Sequence, residues 1–181
     1  MNLRMDELET PVGTLRLVAN GKRLCALAFT DRWPHLQRAL ERRFGEVNLR
    51  REDDPAGARS QLAAYFEGDM AALDRIEVDT SGTPFQEKVW RALRRIESGT
   101  TASYAQLARA AGRPTAVRAV GAANAANPVS IVVPCHRVIR SDGELCGYGG
   151  GVQRKRWLLE HEARAIGGHP KGATRTVRLS P

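Results

Sequence analysis

Cys135 and His136 stand side by side at the end of the run Val129-Ser130-Ile131-Val132-Val133-Pro134. A thiol next to an imidazole suggests nucleophilic chemistry: the thiolate is the reactive form, and a histidine serves as its base once a third group orients the ring. Glu162 can be that group. In the helix expected near Val152 to Ala165, Leu158 and Leu159 face inward. Glu162 follows them by four and three residues, which turns a carboxylate toward the core, where it needs a partner. A chain of contacts from Glu162 through His136 to Cys135 would satisfy that charge, fix the tautomer and favour the thiolate. Two blander arrangements fit the same residues. Cys135 can be a buried free cysteine with His136 a satisfied core residue, and Glu162 can pair with an arginine such as Arg137. Successive residues of an extended strand point to opposite faces, so direct Cys135–His136 bonding does not follow from adjacency, and a bridging water is one way to join them.

The elements that must position these groups divide at about residue 80. Leu3 to Glu9, Thr14 to Val18 and Leu24 to Thr30 read as strands, with Asn20-Gly21 as a hairpin signal. Trp33 to Phe44 and Arg59 to Phe66 read as helices joined by a polar loop, and Ile76 to Asp79 as one more strand. Thr80-Ser81-Gly82 is a linker. Thr83, Pro84 and Gln86 then form a capping box that opens a helix with Phe85, Val89, Trp90, Leu93 and Ile96 on its apolar face. Ser103 and Gln106 form a second box, and the helix they open stops at Gly112. Pro114 and Thr115 start a further helix to about Ala126. The two short helices and their Gly-containing turn have the shape of a helix-turn-helix. The expected fold class is α+β, with an N-terminal domain over 1–80 built from an antiparallel sheet and helices, a mainly helical domain over 83–166, and a mobile basic tail over 167–181.

On the second helix of that pair, Val117, Val120, Gly121 and Asn124 are expected to face inward, leaving Arg118, Ala119, Ala122, Ala123 and Ala126 outside. A helix that reads base edges offers several Arg, Asn, Gln or Lys side chains; this face offers Arg118 alone, which argues against sequence-specific readout. Small outward residues suit close, non-specific docking into a groove, and equally suit packing on another helix.

Charge points the same way. Residues 1–90 carry 13 Lys and Arg against 15 Asp and Glu, whereas residues 91–181 carry 15 against 5, so the net +8 lies wholly in the second half. Of the 28 cations 24 are Arg, whose planar fork suits phosphate. Nucleic acid is the favoured partner and a solvated basic face the alternative. A chain of 181 residues with 42% hydrophobic residues can bury a core, and it contains no apolar stretch of membrane-spanning length. Cys25, Cys135 and Cys146 are an odd number without CxxC spacing, and nothing near Met1 reads as a secretion leader. A reducing compartment, the cytoplasm, is expected.

Taken in order, Phe85-Gln86 with Val89-Trp90, Ser103-Tyr104 with Leu107-Ala108, Arg118-Ala119-Val120-Gly121, Asn127-Pro128, Pro134-Cys135-His136-Arg137-Val138-Ile139, Gly147-Tyr148 with Gly150, and Leu158-Leu159 with Glu162 form one pattern. The stretch from Phe85 to Glu162 closely resembles the O6-alkylguanine-DNA alkyltransferases, also called methylated-DNA-protein-cysteine methyltransferases. The N-terminal part matches in outline, through Thr10-Pro11-Val12-Gly13 and the hairpin. The resemblance implies a ribonuclease H-like first domain, a winged-helix-like second domain, and direct reversal of DNA damage. The alkyl group of O6-alkylguanine, and of O4-alkylthymine, passes from duplex DNA to Cys135, irreversibly and once per molecule, after the base is flipped out. It implies that the recognition helix docks in the minor groove with Arg118, Ala119 and Gly121 at the DNA and Arg118 filling the stack. It also implies that Tyr104 presses on the phosphate and donates a proton to the base, and that Asn127 is a hinge. Val138, Tyr148, Gly149 and Gly150 would shape the pocket, with Gly149 standing where some relatives have a serine. No cofactor and no metal are expected, His35 being the sole histidine before His136, and a monomer that binds duplex DNA and no membrane is expected. Rival readings are a non-catalytic helix-turn-helix DNA- or lesion-binding protein, and a cysteine hydrolase, for which no clear oxyanion hole is found.

Overall fold

A computed structural model describes residues 1–145, 147–167 and 175–176. The chain forms two compact units: residues 1–80 with 128–132, and residues 81–127 with 133–181.

The first unit is built on three strands, β1 (Asn2–Leu8), β2 (Leu15–Asn20) and β3 (Arg23–Phe29), which pair antiparallel in sequence order. Asn20 pairs with Arg23, so the hairpin turn is Gly21-Lys22, with Gly21 at φ +59° where a side chain would be strained. Helix α1 (Trp33–Phe44) lays Trp33, Leu36 and Leu40 on Leu3, Val18, Cys25 and Ala26 of the sheet. Its exposed positions carry Arg38 and Arg42, the amphipathic pattern that the sequence shows.

The polar loop expected before the next helix contains a strand, β4 (Asn48–Arg51), parallel to β1. The sheet order is β3-β2-β1-β4, so the antiparallel meander gains one parallel edge. Only Leu49 of β4 packs on the core, and a short edge strand rich in arginine carries no alternation to betray it. Helix α2 (Ala58–Phe66) follows. The strand expected over Ile76–Asp79 is reduced to a single bridge: Leu24 N donates to Glu77 O at 2.9 Å and Asp79 N to Leu24 O at 2.9 Å. A second short segment lies further along β3, where Leu27 N donates to Pro128 O at 2.9 Å and Ser130 N to Leu27 O at 3.0 Å.

In the second unit α3 (Pro84–Arg94) opens on the expected capping box, with Gln86 N donating to Thr83 Oγ1 at 3.3 Å and Thr83 N to Gln86 Oε1 at 2.9 Å. A short strand β5 (Thr100–Ser103) leads into α4 (Tyr104–Ala110), whose Ser103–Gln106 box is also closed, at 2.7 and 3.2 Å. Helix α5 (Val117–Ala125) starts two to three residues later than Pro114 and Thr115 suggest, with no side-chain cap at Ala116. Its inward stripe is Val120, Ala123 and Asn124. Val117 is exposed and Ala123 buried, the reverse of the expectation, because the buried face is centred on Val120 and Asn124 and takes in Ala123 instead of Val117. Gly121 is half-buried, while Arg118, Ala119, Ala122 and Ala126 are exposed as expected. The pair β6 (Val138–Ile139) and β7 (Arg175–Thr176) flank β5 in parallel, and α6 (Val152–Ala165) carries Leu158, Leu159 and Glu162 inward. The tail expected over 167–181 and Cys146 lie, apart from Gly167, Arg175 and Thr176, outside the described residues. Among the described residues no helix is long and apolar enough to cross a membrane.

Candidate active site

Cys135, His136 and Arg137 form one turn of 3-10 helix, not the extended strand that the β-branched run suggests. Ile131 takes φ +71° just before it, so the chain leaves the extended conformation ahead of the cysteine. All three side chains are buried.

His136 and Glu162 meet. Nε2 of His136 lies 2.7 Å from Glu162 Oε1. An ionised carboxylate only accepts, so Nε2 carries the proton and Nδ1 is left with its lone pair. Nδ1 is buried without a hydrogen-bond partner among the described residues, and Cys135 is therefore not bonded to it directly.

Arg137 does not compete with His136 for the carboxylate; both hold it. Arg137 Nε donates to Glu162 Oε2 at 3.0 Å and Nη2 to Oε1 at 3.0 Å, a bidentate fork. The remaining guanidinium donors reach Ile96 O at 2.6 Å and Ser98 Oγ at 2.8 Å. Gly99 N adds a third residue and a fourth donor on Glu162, at 3.1 Å from Oε2. Burial alone would raise the Glu162 carboxyl, but the charges and hydrogen bonds of His136 and Arg137 outweigh it and hold the group well below the usual carboxylate range. Burial lowers the His136 pKa, against the pull of Glu162. The resting state is thus carboxylate and neutral imidazole.

The sulfur sits beside Asn127. Nδ2 of Asn127 lies 3.1 Å from Cys135 Sγ and 2.7 Å from Val133 O, so the residue expected to act as a hinge touches the thiol itself. Burial pushes the Cys135 thiol up, while the Asn127 bond and the charge of Lys155 pull it down. A thiolate is therefore made on demand, not held standing. Cys25, the other described cysteine, is raised to about 11 by burial and is packed under α1 as an inert core residue.

Lys155 was not singled out from the sequence. It is fully buried, and its ammonium donates to Val138 O. The signal existed: Lys155, Leu158, Leu159 and Glu162 are spaced three, four and seven residues along one face of α6. Val138 O, at a residue expected to shape the pocket, accepts from Lys155 and keeps a second lone pair. Tyr148 is buried, its ring edge-on to His136 at 6.4 Å and its hydroxyl without a hydrogen-bond partner among the described residues. Tyr104, the first residue of α4, lies between two glycines: a Cβ on Gly121 would stand 3.9 Å from its ring, and one on Gly147 would stand 3.7 Å from its hydroxyl. Gly149 is exposed with open space beside it, and Gly150 O accepts from Arg154 at 3.2 Å.

Two family models match, together over most of the chain: "6-O-methylguanine DNA methyltransferase, ribonuclease-like domain" over residues 3–80, and "6-O-methylguanine DNA methyltransferase, DNA binding domain" over residues 84–164. This chain belongs to the 6-O-methylguanine DNA methyltransferase family. A methylated-DNA–protein-cysteine methyltransferase of Salmonella typhimurium is 47% identical over 165 residues, covering 90% of this chain and 96% of the relative. One from Mycobacterium tuberculosis is 44% identical over 158 residues, covering 86% and 89%. Among solved structures, the Mycobacterium tuberculosis OGT in complex with DNA matches with a TM-score of 0.74 at 37% identity, over 91% of this chain and 94% of that one. The O6-methylguanine-DNA methyltransferase of Pyrococcus kodakaraensis matches at 0.67 and 30%, over 88% and 98%. The α+β architecture of this methyltransferase, a small sheet unit and a helical unit, is that of these structures.

In the methyltransferase, Gly99 is a weak point outside the motif. Its φ is +74°, and an added Cβ would come within 2.3 Å of the Ile166 side chain. Ile166 is exposed and can move, whereas the left-handed backbone cannot relax without displacing the N–H that Glu162 accepts. Gly99→Ala is expected to lower stability by about 1–2 kcal/mol, the usual cost of a left-handed non-glycine residue, seen as a lower urea midpoint. An unchanged midpoint would show that the turn adapts freely.

Proposed function

We infer that this chain repairs DNA by alkyl transfer and that Cys135 is the acceptor of the alkyl group. The observation that carries this is the His136–Glu162 bond, which leaves Nδ1 as a buried base next to a cysteine whose sulfur Asn127 already contacts. The Sγ proton passes to Nδ1 through one water, and the imidazolium so formed is stabilised by Glu162. The thiolate attacks the alkyl carbon of O6-alkylguanine, or of O4-alkylthymine, in line with the bond to oxygen. An S–C bond forms, the C–O bond breaks, and the base leaves with that electron pair and takes a proton from Tyr104; the proton held by His136 then returns to the tyrosinate through solvent. The net change exchanges S–H and C–O bonds for S–C and base N–H. The thioether is permanent, so each molecule acts once. No group beyond this chain and duplex DNA is required, and a monomer in the cytoplasm, where the thiol stays reduced, suits the reaction.

Residues 83–166 supply the chemistry and residues 1–80 form the companion domain. The lesion base is reached by flipping, with Arg118 as the side chain that takes its place in the stack and Ala119 and Gly121 lying against the groove. Tyr148, Gly149, Gly150 and the backbone of Val138 line the pocket. The test is a duplex carrying labelled O6-methylguanine: one label per protein molecule, recovered on the peptide that contains Cys135, is expected. Turnover beyond one equivalent would reject the reading.

Arg118 is exposed near the start of α5 and makes no ion pair among the described residues, so its removal should leave the fold intact. Arg118→Ala is expected to slow repair in duplex DNA at least about tenfold, the scale of one lost stacking or charge contact, and to leave reaction with free O6-alkylguanine near wild type. Equal losses on both substrates would remove Arg118 from flipping.

A further inference from the structure

The basic excess of the second half does not lie on the face of α5. That face offers Arg118 and four exposed alanines, Ala119, Ala122, Ala125 and Ala126. A larger group of exposed cations lies on α3 and at the end of α4: Lys88, Arg91, Arg95, Arg109 and Arg113, none of which makes an ion pair among the described residues. Between these two helices runs an open groove of about 480 Å³. Lys88, Arg91 and Arg95 form one wall, Ala110, Ala111 and Gly112 the other, and among the described residues no carboxylate lines it.

We propose that this groove is a second DNA-backbone site, which holds a second duplex while α5 docks the first. The proposal rests on the reading of α5 as the face for the lesion-bearing duplex.

Cations at helix ends are favoured by the helix dipole, which accounts for Arg95, whose Nη2 donates to Ala110 O at 3.4 Å. It does not account for Lys88, a turn and a half before the end of α3. Lys88, Arg91 and Arg95 spread three and four residues apart over about 10 Å of helix. A DNA strand carries one charge per about 3.4 Å of its axis, so the stripe faces about three phosphates. The arginine fork suits phosphate oxygens, and the facing wall of small residues lets a backbone come close. The groove's lining of cations and small residues lacks the large apolar side chains against which the buried anchor of a bound peptide packs, which favours a nucleic-acid backbone over an acidic polypeptide.

The groove and α5 look in different directions. Trp90 of α3 turns toward α5, its Nε1 donating to Ala123 O at 2.9 Å. Lys88, Arg91 and Arg95 lie about 100° to 160° round α3 from Trp90, at 100° per residue. The cation stripe thus lies on a different face of α3 from the one that meets α5.

The experiment measures how many short undamaged duplexes the full chain binds, by sedimentation and by fluorescence anisotropy at low salt. Two per wild-type chain are expected. Lys88→Gln with Arg91→Gln, which leaves the Arg95–Ala110 bond in place, is expected to bind one, and to transfer alkyl groups from a saturating lesion duplex at the wild-type rate. The charge-keeping pair Lys88→Arg with Arg91→Lys should bind two. For the second duplex on the wild-type chain, log affinity should fall against log salt with a slope at least about 1.8 in magnitude, the share of the two phosphate contacts of Lys88 and Arg91. One duplex per wild-type chain, with repair intact, overturns the second site and leaves the α5 reading standing. Loss of repair in the neutral pair overturns the α5 reading instead, since the groove would then be the docking face. Groove-dependent binding of poly-glutamate, with no second duplex bound, assigns the groove to an acidic polypeptide and also overturns the proposal.

Discussion

Cys135→Ser is expected to hold lesion-bearing duplex DNA and to transfer no measurable label. A serine hydroxyl is close in size to the thiol and can keep the contact that Asn127 Nδ2 makes with the sulfur, so the buried turn has no reason to open. The chemistry is what fails. The burial that pushes the Cys135 thiol up would weigh on a far less acidic hydroxyl, and His136, whose basicity burial has lowered, cannot remove its proton. Electrophoretic retention of the duplex together with label that stays on DNA is the expected pair of results. Label on the protein of the serine variant would mean that another residue accepts the alkyl group and that the reading of the site is wrong.

Arg137→Leu is expected to have the largest effect on stability, about 3–5 kcal/mol, the cost of breaking a buried ion pair from one side. The guanidinium bonds both oxygens of Glu162 and ties the carboxylate to the Ile96–Ser98 turn. Without it Glu162 keeps His136 and the Gly99 N–H but loses its permanent counter-charge. For a domain of this size a loss of that order lowers the melting temperature by about 6–20 °C. The effect should depend on pH in a definite direction. Glu162 is held below its unfolded value in the folded wild type, so its contribution is complete above the unfolded glutamate pKa of about 4.3 and disappears as pH falls through the folded value. His136 adds to the acid sensitivity. Its folded pKa is lowered, so stability begins to fall below about pH 6.5, where the unfolded histidine takes up a proton. In the variant the Glu162 pKa climbs, and the gap between the two proteins should narrow below about pH 4. Urea midpoints across that range give the comparison. A gap that stays constant with pH would place the role of Arg137 in packing alone, and a gap under about 1 kcal/mol would show that Glu162 is held adequately by His136 and Gly99.

Local signals were the legible ones. Both capping boxes and the hairpin signal are short-range patterns; the boxes close with the partners that their spacing names, and the hairpin forms one residue along, with Gly21-Lys22 as its turn. The meeting of His136 and Glu162 was also legible, since a carboxylate carried inward by a helix needs a partner and few were on offer. Where several groups share one partner, the sequence misled. Arg137 stood as a rival to the His136 contact, and the carboxylate takes both. Lys155 escaped because a lysine amid Arg154 and Arg156 reads as surface unless the inward face of α6 is extended a turn back. Val120 and Asn124 of α5 lie inward as expected, but the edge of the stripe misleads at Val117 and Ala123, because the apolar residues there are mostly alanine, which marks neither face. Strand β4 left no trace, for an edge that solvates its arginines has no reason to alternate. The contacts of Ser98 and Gly99 with the site join residues far apart in sequence, which no local pattern encodes.

The path of the chain between α5 and Cys135 bears on how this protein can be divided. Residues 128–132 belong to the sheet unit, although the residues on either side of them belong to the helical one. They are bonded to Leu27 of β3, and Val129, Ile131 and Val132 are buried. A fragment cut at the linker near residue 82 would take with it a hydrophobic segment whose pairing strand stays behind, attached three residues upstream of the reactive thiol. The gene has a plain seam there; the folded protein has been stitched back across it, and the acceptor cysteine hangs on the return thread.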